Sequence, residues 1–311
     1  MAKHFFIICI TLTIVACSCD NTTNNSSNNE VKSSENVSKT QQYIPPTAPS
    51  IITDINAQYE YLAENFWSKF NFQDTTQIQS KVLENAFINF LYTLSYVRTL
   101  ECAQQSIMTY MEAASRDSLM LNHVISLGEK YLYDPNSPMR NEELYICVLQ
   151  HIIESPKTDE LNKTRPKHQL EMALKNRVGT VATDFLITTD KNERIKLSQI
   201  KSEHIILMFN NPDCPECLRV KQIIESENDL FSNIKIVSVY TDSDLSVWEK
   251  TVYPNKWVNG YDKGEIITKN KLYDLKAIPS LYLLNQQHNI LLKDAPIETI
   301  INYLKSQNSN I

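Results

Sequence analysis

Cys214 and Cys217 stand two residues apart where an unbroken apolar run gives way to a helical stripe. The run, His204–Asn210, has the continuous apolar character of a buried strand. The stripe is Leu218, Val220, Ile223 and Ile224, spaced for one face of a helix. A strand that hands a cysteine to a helix N-terminus commits this part of the chain to an α/β fold. It also has chemical meaning. A Cys at a helix N-terminus faces unsatisfied N–H groups and the positive end of the helix dipole, and both favour the thiolate, the attacking form. Two intervening residues place the second Cys one turn on, near enough for an intramolecular disulfide. Cys214 is therefore the candidate nucleophile, which attacks a disulfide, and Cys217 the thiol that resolves the mixed disulfide.

The surrounding pattern extends the fold. Asp184–Asp190 and Arg194–Ser198 read as a β-hairpin, and Ile234–Thr241 as a second buried strand. Ala277-Ile278-Pro279-Ser280 precedes a strand at Leu281–Leu284, and Asn285–Asn289 turns into another at Ile290–Lys293. A closing helix runs from Pro296 to Leu304. Residues 242–271, with Trp248, Tyr253, Trp257 and Tyr261, read as an insertion made of a helix and a surface loop, or as a rim facing substrate. Zinc is disfavoured because no second C-x-x-C or H-x-H pair accompanies the first, so no metal is expected. A structural disulfide without turnover remains an alternative.

The C-x-x-C at a strand-to-helix junction, followed about sixty residues later by Ile278-Pro279 before a β-hairpin, resembles a thioredoxin-fold domain. Gly179-x-x-Ala182-x-Asp184-Phe185 is similar to the lead-in of membrane-anchored or periplasmic thioredoxin-like reductases and of peroxiredoxins. Residues 129–143 and 165–170 are similar to a helical domain of unknown function that precedes thioredoxin-like domains in Bacteroidetes-type lipoproteins. The resemblance implies an α/β thioredoxin fold over 177–311 preceded by an all-α domain over 46–176. It implies a cis Pro279 that belongs with Cys214 and Cys217 in the catalytic set, and an Ile278 backbone that pairs with substrate, with Pro215 and Glu216 also binding substrate. It further implies a thiol-disulfide oxidoreductase acting on protein disulfide or dithiol substrates, fed by an upstream electron donor and needing no cofactor. A binding or assembly lipoprotein with a structural disulfide is the competing class. A peroxidase of peroxiredoxin type needs T-x-x-C, and here Asn211 occupies the Thr position. Three departures stand out: Asp213 before the first Cys, Glu216 between the pair, and Met208 where a buried acid is expected. Carboxylates near Cys214 oppose a second negative charge, and Asp213 competes for the helix-end N–H groups, which points to a reductive poise. Glu216 is a candidate proton carrier for Cys217 or, equally, a solvated charge.

The N-terminus reads as an address. Phe5–Val15 is an apolar run of signal-peptide length, too short to span a bilayer. It ends in Ile14-Val15-Ala16-Cys17, which resembles a lipobox; the resemblance implies a signal peptide over 1–16, removed together with Cys9, and lipidation of Cys17. Residues 17–45 are rich in Asn, Ser and Thr and read as a tether that is stiffened at its end by prolines. The expected location is the cell envelope, on a membrane through the lipid anchor.

Residues 46–176 are predicted to form four to six helices. Leu83, Phe87, Phe90, Leu91 and Leu94 make one stripe, and Leu100, Ala103, Ile107 and Met111 make another. Ser137 and Pro138 read as the cap and first position of a helix through Glu154, with Glu142 and Glu143 in its acidic first turn. Tyr59, Tyr61, Phe66, Trp67, Phe70 and Phe72 read as core. His123 and His151 read as ordinary helix residues, and Cys102 and Cys147 as either a bridge or unpaired thiols. Only four Gly occur in 311 residues, none spaced for a dinucleotide or triphosphate loop. The net charge of -6 argues against a nucleic-acid partner.

Overall fold

Each long helix of the N-terminal half starts where its sequence supplies a cap or a turn. The computed structural model describes residues 42–308. Asp54 caps α1 (Ile55–Asn65), accepting the Ala57 N–H at 2.8 Å. The single turn α2 (Thr76–Gln79) leads to α3 (Val82–Leu94), and Thr99 caps α4 (Leu100–Ala114). Asp117 caps α5 (Ser118–Gly128), which runs on into a π turn at Glu129–Tyr133. Asn141 caps α6 (Glu142–Glu154), and Asp159 caps α7 (Glu160–Ala173). The helix expected from Pro138 thus begins at Glu142. Ser137 Oγ instead donates to the Tyr131 carbonyl and accepts the Met139 N–H, which closes the preceding turn. Glu142 and Glu143 do occupy the first turn.

These helices enclose one apolar core. Trp67 stacks on Tyr110 with ring centroids 4.6 Å apart and meets Phe90 edge-on, while Phe87, Met111 and Leu149 close the centre. Phe66, Trp67 and Phe72 are buried and Phe70 half-buried against them; Tyr59 and Tyr61 lie nearer the surface. Cys102 and Cys147 are free thiols. His151 Nε2 lies 2.7 Å from Ser115 Oγ. No helix among the described residues is long and apolar enough to cross a membrane.

The C-terminal half is a seven-stranded mixed sheet in the order β2-β1-β5-β4-β3-β6-β7. Its strands are β1 (Leu186–Thr189), β2 (Arg194–Lys196), β3 (His204–Asn210), β4 (Ile234–Tyr240), β5 (Val258–Tyr261), β6 (Ser280–Asn285) and β7 (Ile290–Leu292). β3 runs parallel to β4, and β4 to β5; the other neighbours are antiparallel. Between β3 and β4 come α8 (Pro215–Ser226) and the short α9 (Asn228–Phe231); α10 (Ile266–Lys269) follows β5, and α11 (Ile297–Asn308) ends the described chain.

The segment 242–271 departs from expectation. It is not an insertion beside the sheet, because β5 is wedged between β1 and β4. Trp248 points inward against Tyr261, with centroids 4.9 Å apart. Successive β3 residues alternate between two cores, as strand geometry requires. Ile206 and Met208 face α8 and α11, whereas Ile205, Leu207 and Phe209 face Phe185, Tyr273 and Tyr282. The helical half and the sheet half belong to one compact unit. Buried Asn176 joins them: its Nδ2 donates to the Leu272 carbonyl at 2.8 Å, and its Oδ1 accepts the Thr183 N–H at 2.8 Å.

Candidate active site

The end of β3 is fixed before the cysteines are reached. Buried Asn210 donates from Nδ2 to Ser238 Oγ at 2.8 Å, tying β3 to β4. The chain then turns. Asn211 accepts the Asp213 N–H on its side chain at 2.9 Å and the Cys214 N–H on its carbonyl at 3.0 Å. Pro215 takes the first position of α8, where its missing N–H costs nothing. Cys214 becomes the N-cap, and its Sγ accepts the Cys217 N–H at 3.3 Å.

That geometry corrects the reading of Asp213. The helix-end N–H is taken by the sulfur and not by the aspartate, whose own N–H is spent on Asn211. Of the two expected roles of Glu216, the geometry favours the solvated charge. Arg219 Nε holds both its oxygens at 2.9 Å, and Arg219 Nη1 reaches Glu298 at 2.7 Å. Glu216 is therefore a surface carboxylate engaged by a guanidinium, which does not suit it to carry a proton to Cys217.

The two thiols are unlike. Cys214 is half-buried, whereas Cys217 is only 3 % exposed. Burial, with the contact to Cys214, pushes the Cys217 thiol up to about 12. Met208, 2 % exposed, shares its core where an acid was expected. Across the site the Ile278–Pro279 peptide is cis, and the Ile278 carbonyl lies 3.7 Å from Cys214 Sγ. Ile278 is partly exposed at 36 %. Cys214, Pro215, Cys217, Ile278 and Pro279 are thus gathered at one end of β3. His204 begins the other end, and His288, buried in the β6–β7 turn with Nε2 3.0 Å from the Ile200 carbonyl, is remote as well. Among the described residues no three His, Cys, Asp or Glu side chains form a metal cluster. Cys17 lies outside the described residues.

The contrast between thiols has a chemical readout. A raised pKa means less thiolate at a given pH, and burial pushes Cys147 the same way, to about 11. Under native conditions at pH 8, iodoacetamide is expected to modify Cys214 roughly 100-fold or more faster than Cys217 or Cys147, because only the thiolate reacts. Peptide mapping by mass spectrometry reads this. Equal labelling of Cys214 and Cys217 would contradict it.

A free cysteine pair at a βα turn, facing a cis-proline loop from an adjacent strand, defines a thioredoxin-like protein. Two family models match the chain: "Domain of unknown function (DUF5106)" over residues 18–176 and "Thioredoxin-like" over residues 202–290. A thioredoxin-like protein from Bacteroides caccae is 37% identical, covers 85% of this chain and 98% of its own, and superposes with a TM-score of 0.80. The chain belongs to this family of thioredoxin-like proteins with an N-terminal helical domain. The C-terminal domain of an uncharacterized Bacteroides fragilis protein is 36% identical over 42% of this chain and 98% of that one, with a TM-score of 0.40. The thioredoxin domain of a Bacteroides vulgatus thiol-disulfide oxidoreductase is 18% identical over 42% of this chain and 96% of that one, with a TM-score of 0.38. No curated protein matches the chain.

Proposed function

We propose that this protein is a thiol-disulfide oxidoreductase of the cell envelope, held to a membrane through a lipid on Cys17 and reducing disulfides in protein substrates. The observation that carries the reading is the placement of Cys214 Sγ: it caps α8, takes the Cys217 N–H and lies beside the Ile278 carbonyl. A thiolate there is stabilised by an N–H donor and by the helix dipole.

The reaction balances as two exchanges. Cys214 thiolate attacks one sulfur of the substrate disulfide, forming a Cys214–substrate S–S bond and releasing one substrate thiol after protonation. Cys217 loses its proton and attacks Cys214 Sγ, breaking that bond and releasing the second thiol. The substrate gains two electrons and two protons, and the protein is left with a Cys214–Cys217 disulfide. A dithiol donor must reduce it before the next cycle. The high Cys217 pKa suits this order, since the resolving thiol stays neutral until the mixed disulfide forms.

The reductive direction rests on charge. Asp213 and Glu216 flank Cys214, and Arg219 in the same turn is already held by Glu216 and Glu298. Acidic neighbours on both sides of Cys214 oppose a second negative charge there, which favours a reductant; a reduction potential of about -120 mV, that of a strong oxidant, would overturn this. The whole reading is tested in cells by Cys217→Ser, which stalls the second exchange. Covalent adducts through Cys214, dissolved by dithiothreitol, are expected in the membrane fraction and in the soluble fraction once Cys17 is also replaced by Ser. A lack of adducts would favour a binding protein with a structural disulfide.

A further inference from the structure

The turn ahead of α6 reaches out of the helical half. Arg140 Nη1 lies 2.8 Å from Asp294 Oδ2, and its Nη2 donates to the Asp294 carbonyl. Asp294 Oδ1 in turn accepts the Ser280 hydroxyl at 2.9 Å. Two residues on, Glu142 Oε2 is 2.5 Å from Lys293 Nζ, and Oε1 is 3.8 Å from Lys276 Nζ. Lys276 is also 3.1 Å from Asp274 and 4.3 Å from the centroid of the Tyr133 ring. Lys293 spends its remaining donors on the Ala173 and Lys175 carbonyls.

This network differs from surface pairing. Side-chain exposure is 8 % at Lys293 and 20 % at Glu142. Burial raises the Glu142 carboxyl's pKa, and Lys293 opposes it. Charges so enclosed are costly to leave unpaired, unlike exposed pairs. The junction is not simply packed shut, because a cavity of about 380 Å³ remains among Tyr133, Arg140, Glu142, Lys276, Lys293 and Asp294. Ionic and hydrogen-bonded pins bridge that space. They hold Lys276, two residues before Ile278, and Ser280, directly after Pro279.

We propose that the helical domain is a clamp on the 276–280 loop, with Arg140 and Glu142 as positioning residues that set the Ile278 backbone against Cys214 and against a protein substrate. The catalytic consequence rests on the oxidoreductase reading; the mechanical part does not. A protein disulfide that pairs with the Ile278 backbone needs the loop in place. A small aromatic disulfide needs only the thiolate of Cys214.

The test uses the full chain with Arg140→Gln and Glu142→Gln together, and Arg140→Lys as the conservative variant. Amide hydrogen exchange over residues 274–280 is expected to quicken at least tenfold in the double variant, with α3 to α5 unchanged. KM for insulin disulfide reduction is expected to rise at least fivefold, while attack on 5,5′-dithiobis(2-nitrobenzoate) changes less than twofold. Arg140→Lys, which keeps a charged donor for Asp294, is expected to recover most of both effects. Unchanged exchange in the loop, or an equal loss on both disulfides, would overturn the clamp. Exchange decides the mechanical claim by itself. A wild-type protein that leaves insulin intact, with a loop that still loosens in the variant, would refute the oxidoreductase reading and uphold the clamp.

Discussion

Replacing Cys214 with Ser is expected to lower insulin reduction by on the order of 10³-fold or more, because no other thiol among the described residues is placed to take over the attack. Cys217 is enclosed, and its thiol is held neutral up to about 12. Cys147 is buried with its thiol raised to about 11, and it sits in the helical core. Cys102 is partly open, but burial and then Glu64 and Glu60 raise its pKa too. A serine hydroxyl retains the cap geometry but not the acidity, so folding should be preserved while exchange is lost. Cys217→Ser should behave differently, giving a single attack and then a stalled adduct. Turnover with insulin, alongside thermal unfolding of each variant, separates these outcomes. More than a tenth of wild-type activity in Cys214→Ser would remove Cys214 from the mechanism.

Gly260→Ala is expected to destabilise the fold by about 3 kcal/mol or more, among the largest effects of a single small substitution. Gly260 sits in β5 opposite Val239 on one side and Thr189 on the other. A Cβ there would lie 2.2 Å from Ile187 Cγ2 and 2.7 Å from the Thr188 carbonyl oxygen. Ile187 is fully buried, and the Thr188 carbonyl is backbone, so neither can retreat without moving β1. The substitution therefore pries apart the β1–β5 pair and with it one side of the sheet. Urea unfolding measures this as a fall in the transition midpoint. A loss below about 1 kcal/mol would mean that β1 yields more easily than a close-packed sheet allows.

Gly260 also marks the strand whose sequence pattern is least strand-like. The strands β3, β4 and β6 announce themselves as apolar runs, and the cysteines announce the start of α8. Val258-Asn259-Gly260-Tyr261 offers no such run, and Asn-Gly ordinarily signals a turn, so the pattern places β5 within an insertion. Its strand character comes from its neighbours, β1 and β4, which pair with it from distant parts of the chain. The start of α6 is obscured for the opposite reason. Ser137-Pro138 carries a helix-start signal that the structure uses to close a turn. At the candidate site, Cys214, Cys217, Ile278 and Pro279 are legible from spacing and resemblance. Arg140, Asp294 and Ser280 are not, because no periodicity links residues whose contact depends on how two halves dock.

The sheet's strand order also governs when the redox pair becomes enclosed. β3 borders β4, made soon after it, and β6, made much later. A chain synthesised from its N-terminus holds every residue of the helical core before Cys214 and Cys217 are made, so that core closes first. Cys147 is then already sequestered when Cys214 and Cys217 emerge. The pair waits uncovered until Ile278 and Pro279 arrive at the head of β6. Early closure of the helical half thus withdraws one competing thiol from mispairing during biosynthesis.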